Sequence, residues 1–327
     1  MYIIKRHTTD PYFNLATEEY VLKNFDEDSF MLWRNEPSII VGKHQNTLAE
    51  INLDYVNANK IKVVRRLSGG GAVFHDLGNI NFTFIRKADH DMAIDFRKFT
   101  EPILEVMRKL GIEARFEGRN DLTINGLKFS GNAEHVFRDR VLHHGTLLFS
   151  SVMADLSGAL NVDPSKFSDK AVKSVKSRVT NISSHLKEPM ETGQFMELLN
   201  AHMLEKYPDA VTIELSDEDH RKISELVRTK YGSWEWNFGH SPDYNYRKKI
   251  KTAAGGHIEL TMLVENGLIS DVAIYGDYFN RADTTEIEEK LKGISHSLPV
   301  IRENLSGLML SDYFAHVTDE EFYSLLV

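Results

Sequence analysis

The chain has 327 residues, 42% hydrophobic and 27% charged, a composition of ordinary globular protein long enough for about two domains. Its 48 acidic against 39 basic residues give a net charge of -9, so it lacks the basic footprint of a general nucleic-acid binder. It contains no cysteine, which excludes disulfides, thiolate metal sites and any mechanism that forms a thioester on this chain.

Read in chain order, Asp10-Pro11 is an N-cap followed by proline at the first helical position. It predicts an amphipathic helix through about Lys23, with Phe13, Ala16 and Tyr20 on one face. Phe30–Trp33 and Ser38–Val41 read as short buried strands, Ile61–Leu67 as a β-branched strand, and Ile80–Ile85 as an alternating one. Phe96, Phe99, Ile103, Val106 and Leu110 recur at helical spacing up to Gly111, and Pro102 implies a kink or a later start. Asn125-Gly126 marks a tight hairpin. Further helices are expected near Gln194–Lys206 and Glu218–Lys230. Trp234–Asn245 is aromatic and turn-rich, and a domain boundary is placed near Tyr246. Beyond it, alternation from Ile258 to Val264, the Asn266-Gly267 turn, and Val272 and Ile274 form a hairpin. Helices near Thr285–Leu291 and Glu320–Leu326 complete a small α+β unit with no obvious chemistry of its own. Met1–Arg6 opens no long apolar region and no run approaches about 18 apolar residues, so a cytoplasmic protein without membrane spans is expected.

Three segments are candidates for chemistry. Ser68-Gly69-Gly70-Gly71 lies between two predicted strands, and its glycines let backbone N–H groups converge on an anion. Arg65 and Arg66 stand at its mouth on opposite faces, so only one of them can face a ligand there. A bare triple glycine favours a flexible connection or bulge; the flanking Arg, Ser and His shift the reading toward anion binding. Neither a Walker loop nor a dinucleotide fingerprint is present. In the Asn125-Gly126 hairpin, pairing puts Ile124 opposite Leu127, Thr123 opposite Lys128, and Asp121 opposite Ser130. Leu122, Ile124, Leu127 and Phe129 then form a core face, with Asp121, Thr123, Lys128 and Ser130 on the other. Spacing alone favours a solvated surface lysine at Lys128 over a cation poised for phosphate and carboxylate. His143 and His144 diverge on a strand and cannot easily share a metal, so one pocket or core histidine is expected. Lys173–Arg178 is a basic, serine-rich run, either a solvated loop or a segment that covers phosphate.

Taken together, several blocks resemble the bacterial lipoate–protein ligase family. They are Pro11–Ala16; Arg65–Asp76 continued by Leu77–Phe84; Gly118-Arg119-Asn120-Asp121-Leu122; Lys128–Ala133; His143–Leu148; Lys176–Asn181; and Ser233–Gly239. They run in family order over roughly residues 10–240, and the remainder resembles the family's accessory domain more weakly. The resemblance implies an α+β (α/β-like) fold: a catalytic domain over 1–246 with mixed sheets flanked by helices, biotin/lipoate ligase-like, and an accessory domain over 247–327.

It also implies an ATP-dependent ligase that makes lipoyl-AMP and transfers the lipoyl group to a lysine of an acceptor. The implied acceptors are lipoyl domains of 2-oxoacid dehydrogenase acyltransferase subunits and the glycine-cleavage H protein. ATP and Mg2+ are the implied cofactors. Carried over by motif, Arg66, Gly71, Ala72, Val73, Phe74, Asn120, Asp121 and Lys128 bind ATP, and Asp121 stands by the metal. Ser68, Gly69, Gly70, His75, Lys128 and His144 bind lipoate, and Lys128 is the catalytic cation. The Asp121–Lys128 link is a minimal hairpin where some relatives carry a longer insertion. The octanoyl or lipoyl transferases that resemble this family use a cysteine, which this chain lacks. A lipoate-binding module without catalysis is the other alternative, and no Gly-Arg-Gly-Arg-x-Gly-Arg motif supports a biotin ligase.

Overall fold

The computed structural model describes residues 1–45, 47–51, 53–88, 95–152, 179–238, 246–252, 256–265 and 267–326. The strands are β1 (Tyr2–Ile4), β2 (Ser29–Trp33), β3 (Ser38–Val41), β4 (Lys62–Arg65), β5 (Val73–His75), β6 (Asn79–Lys87), β7 (Ala114–Glu117), β8 (Asp121–Ile124), β9 (Leu127–Phe137), β10 (Arg140–Leu148), β11 (Val211–Ile213), β12 (Tyr246–Lys251), β13 (His257–Glu265) and β14 (Leu268–Gly276). An eight-stranded mixed sheet runs β11-β1-β2-β6-β10-β9-β8-β7, and a small sheet runs β4-β3-β5. The antiparallel sheet β12-β13-β14 belongs to the C-terminal unit, whose core is built entirely from residues after 257.

The helix Pro11–Asn24 starts where expected, with Asp10 Oδ1 accepting from Tyr12 N at 3.0 Å. It is not simply amphipathic: Asn14, Thr17, Glu18 and Glu19 are buried along with Leu15 and Val21. It lies between the large sheet and the helix Asp217–Leu226, so each buried polar group needs an internal partner. Glu19 finds Lys23, Lys230 and Tyr231, at 2.6, 2.7 and 2.7 Å. Lys230 and Tyr231 come from a π-helical segment, Val227–Tyr231, that prolongs the Asp217–Leu226 helix.

Pro102 sits inside an uninterrupted helix, Phe96–Lys109, capped by Asp95; the later start does not occur. Phe99, Ile103, Val106 and Met107 all reach the main core, and burying that stripe outweighs the roughly 3 kcal/mol that an interior proline costs. The hairpin turn has Asn125 and Gly126 at φ 52° and 76°, the conformation its two residues were expected to adopt. Thr123 pairs with Lys128 as predicted, but a bulge between Leu122 and Thr123 sets Leu122 opposite Ser130 and Asp121 opposite Gly131. Alternation alone did not anticipate this extra residue, nor the half-buried state of Leu127.

Pattern reading also passes over β12, because Tyr-Arg-Lys-Lys-Ile-Lys is a charged edge strand with few inward apolar residues. It likewise misses the helices Trp234–Asn237, Leu298–Leu305 and Leu310–Tyr313. The Lys173–Arg178 run and residues 239–245 lie outside the described residues.

Candidate active site

The glycine-rich segment connects β4 to β5, and its two arginines do point apart. Arg65 is a structural clamp: its Nη1 donates to the carbonyls of Gly42, Lys43 and Gln45 at 2.7–2.9 Å, and its Nε donates to Trp236 O at 2.9 Å. Arg66 is wrapped by the loop itself. Its Nε donates to Ser68 Oγ (3.0 Å), its Nη2 to Gly69 O (2.6 Å) and Gly71 O (2.9 Å), and its Nη1 to Ile40 O (3.1 Å). Burial pushes the Arg66 guanidinium down to about 10, so it remains charged at neutral pH. The loop is therefore folded around a cation, and these bonds leave one Nη1 hydrogen for anything else.

Beside the loop lies a cavity of about 460 Å³. Leu15, Trp33, Ile40 and Val73 are its apolar lining. Arg119, Asn120, Asp121, Lys128 and Asp277 are its charged and polar lining. Arg66, Gly70, Gly71, Ala72, His75 and His144 also line it. Lys128 Nζ is 2.7 Å from Asp121 Oδ1, and both side chains are partly open to solvent. Asn120 is stitched to Asn132: its Nδ2 donates to Asn132 O at 2.5 Å, while Asn132 N and Nδ2 both donate to Asn120 O at 3.0 Å. Asp277 comes from the C-terminal unit, which thus contributes a carboxylate to the lining of the cavity. Asp277 O accepts from Arg119, and Tyr278 O accepts from Gly70 N at 3.2 Å.

Behind the cavity runs a buried polar chain. Trp33 Nε1 donates to Thr83 Oγ1 (2.9 Å), which donates to Glu18 Oε1 (2.6 Å). His144 Nδ1 is 2.9 Å from the same carboxylate oxygen, and His144 Nε2 is 2.6 Å from Ser68 Oγ. Facing a carboxylate, His144 Nδ1 carries the proton. The order Ser68–His144–Glu18 has the spacing of a hydrolase triad. Ser68 is fully buried, however, and holds the loop arginine instead of opening on the cavity.

Of the residues singled out in the sequence, Arg66, Gly70, Gly71, Ala72, Val73, His75, Asn120, Asp121, Lys128 and His144 meet at this cavity. Ser68, Gly69 and Phe74 are placed elsewhere. Gly69 is roofed by Tyr278 O, only 1.9 Å from where a Cβ would stand. Phe74 alternates away into a core with Ile39 and Val63. His143 points to the other face of β10, where Glu134 Oε1 lies 2.8 Å away and Phe99 stacks on the ring. Glu18, Trp33, Arg119, Asn132 and Asp277 were missed. Glu18 had a signal: three positions after Leu15 and four before Leu22, it falls on the helix's core stripe, where a carboxylate must have a partner.

Comparison with known proteins agrees with this geometry. Residues 10–204 match the lipoyl protein ligase A/B catalytic domain, and 241–326 match the bacterial lipoate protein ligase C-terminus. The lipoate-protein ligase LplJ of Bacillus subtilis is 42% identical over 330 residues, covering all of this chain and 99% of the relative. The chain belongs to the lipoate–protein ligase family.

Among solved structures, P. falciparum LipL1 in complex with lipoate superposes with a TM-score of 0.79 at 27% identity, over 98% of this chain and 96% of that one. A lipoate-protein ligase A bound with ATP gives 0.63 at 26% identity, over 72% and 98%. A bipartite ligase from Thermoplasma acidophilum, described with its E2 lipoyl domain, gives 0.66 at 29% identity, over 75% and 98%. The α+β architecture with mixed sheets is that of these ligases. Among the described residues no helix is long and apolar enough to cross a membrane.

Proposed function

We propose that this ATP-dependent ligase activates lipoate to lipoyl-AMP and then lipoylates a specific lysine of a lipoyl-domain acceptor, with Lys128 as its catalytic cation. The observation that carries the assignment is the cavity's mixed lining, in which apolar Leu15, Trp33 and Ile40, suited to an acyl tail, stand together with Lys128, Arg119 and the Gly70–Val73 segment. In the first step a carboxylate oxygen of lipoate attacks the α-phosphorus of ATP and the bond to pyrophosphate breaks. Two anions must meet for this, and a positioned ammonium lowers their repulsion and stabilises charge developing on phosphorus. In the second step the acceptor's ε-amine attacks the acyl carbon and AMP leaves. Neither step needs a nucleophile on this chain, which suits a sequence without cysteine.

In this reading Arg66, Gly71, Ala72, Val73, Asn120, Asp121 and Lys128 serve the nucleotide, and Gly70, His75, His144 and Lys128 serve lipoate. Ser68 and Gly69 act by shaping the loop, and Phe74 anchors it. The catalytic unit spans 1–246 and the accessory unit 247–327. Asp121 offers a hard oxygen ligand, which fits magnesium held mainly by the nucleotide's phosphates. Bound there, magnesium would supply charge neutralisation. Asp121 would orient the ion and Lys128 together. The acceptors in this reading are lipoyl domains of 2-oxoacid dehydrogenase acyltransferases and the glycine-cleavage H protein, and the compartment is the cytoplasm.

The test is pyrophosphate release with lipoate, octanoate and biotin side by side, followed by a gel shift of apo lipoyl domain. Release with lipoate but not biotin, and a shifted acceptor, are expected. A chain that binds lipoate yet releases no pyrophosphate would be a binding module and not a ligase.

A further inference from the structure

Resting on that reading, we infer that His75 selects a sulfur-bearing acyl tail over a plain alkyl one, by presenting an Nε2–H donor in the lining of the cavity.

The tautomer follows from a directed chain of hydrogen bonds. Arg6 can only donate, and its Nη2 is 2.8 Å from Asn14 Oδ1, so the oxygen of that amide faces the guanidinium. Asn14 Nδ2 then points the other way, to the backbone carbonyl of Arg34 (3.1 Å) and to Asn35 Oδ1 (2.9 Å). With its oxygen engaged, Asn35 turns its Nδ2 toward His75 Nδ1 at 3.1 Å. That nitrogen must offer a lone pair, so the proton of the neutral ring is on Nε2. An imidazolium would set N–H against N–H. Burial, with Arg66 and His144 nearby, pushes the ring down to about 3, in agreement with a neutral form.

His75 lines the cavity beside Trp33, their ring centroids 6.2 Å apart, and Ile40 and Asn81 line it too. Its Nε2 is buried and has no hydrogen-bond partner among the described residues. Three further residues are spent on fixing the ring, yet the donor they create is left unanswered. An orphan buried N–H in the wall of a ligand cavity calls for its acceptor from the ligand. Of the tails an acyl-activating site could take, an alkyl chain offers none. The ring sulfurs of lipoate are weak acceptors of the right softness for a buried site. An alkyl tail leaves the Nε2–H unanswered, while a ring sulfur brought against it gains one hydrogen bond. The resulting preference is on the order of ten-fold in kcat/KM.

The test uses the full chain and compares kcat/KM for pyrophosphate release with lipoate and with octanoate, the straight acid of the same length. His75→Phe keeps a ring but no donor, and its lipoate-to-octanoate ratio should fall about ten-fold, mainly through lipoate. His75→Gln, which can still donate, should retain most of the ratio. Independently of any variant's folding, nitrogen-15 spectra of the wild type at neutral pH should show His75 as the neutral Nε2–H tautomer. An unchanged ratio in an active His75→Phe overturns the inference and leaves lipoate activation standing, as does an Nδ1–H or doubly protonated ring. A wild type that adenylates neither acid overturns both.

Discussion

Replacing Lys128 by Met should separate chemistry from stability. The ammonium's partner at 2.7 Å is Asp121, but the two side chains remain 40% and 35% exposed, so solvent screens the pair. Losing it costs roughly 1 kcal/mol or less of folding free energy, a fall of about 2–4 °C at most in melting temperature. The catalytic loss is far larger if the same ammonium meets the phosphate and the lipoate carboxyl. Removing one preorganised charge donor costs about 10²–10³ in kcat, or roughly 3–4 kcal/mol of barrier. The pair of measurements is thermal unfolding and lipoate-dependent pyrophosphate release. Gly131→Ala provides an intermediate perturbation, because a Cβ there would stand 3.1 Å from both Cε and Nζ of Lys128 and push the ammonium aside. A displacement of that kind costs roughly ten-fold or more where geometry matters. Pyrophosphate release by Lys128→Met within about ten-fold of wild type would refute the cation's assigned role.

The carboxylate of Glu19 gives a stability signature. Burial alone would push it up, but the charge of Lys230 and hydrogen bonds from Lys23, Lys230 and Tyr231 outweigh burial and hold it below the usual glutamate range. Its contribution is therefore fully present above the unfolded-state value and is lost as pH falls through the lower folded one. Glu19→Ala should cost about 2–4 kcal/mol in denaturant unfolding at neutral pH and flatten the acid limb of the stability profile; an unchanged acid limb would contradict this. Gly69→Ala would set a Cβ 1.9 Å from Tyr278 O, so it should prise the C-terminal unit off the loop. Small-angle scattering should then show a larger radius of gyration and limited proteolysis should quicken, and a variant indistinguishable from wild type in both would show that the contact yields locally.

What was legible in the sequence is what local rules govern. The Asp10-Pro11 start, the Asn125-Gly126 turn and the opposed arginines follow from capping, turn chemistry and alternation, and each appears as read. Three adjacent glycines flanked by arginines located the loop, but not what fills it. Three of the four hydrogen bonds of Arg66 go to Ser68, Gly69 and Gly71 of its own loop, a shaping role that the sequence does not announce. A carbonyl that will receive such a bond leaves no mark in residue identity. Asp277 shows the other limit: it lies 156 positions from Asp121 in the chain, and only the docking of two separate cores brings both to one cavity.

That docking bears on how the nucleotide would be received. The cavity's ionic lining is Arg66, Arg119 and Lys128 against Asp121 and Asp277, so the cations exceed the carboxylates by one. A triphosphate and a substrate carboxylate together bring several negative charges. One of the two opposing carboxylates belongs to the C-terminal unit. The same unit places the Tyr278 carbonyl on Gly70 N–H, the donor an anion would want. Both features weaken the site for phosphate while the unit is docked, and both would be relieved together if residues 277–278 withdrew. Magnesium would then offset the remaining excess, and the Gly70–Val73 backbone would be free to donate. The docked arrangement is coherent in its own right, with Lys43 paired to Asp283 at 2.7 Å and His44 stacked on Tyr278 at 4.5 Å. The C-terminal unit is thus read as a competitor for the loop as well as a wall of the cavity, and nucleotide affinity should rise in any variant that weakens those two contacts without touching the catalytic unit's own loop.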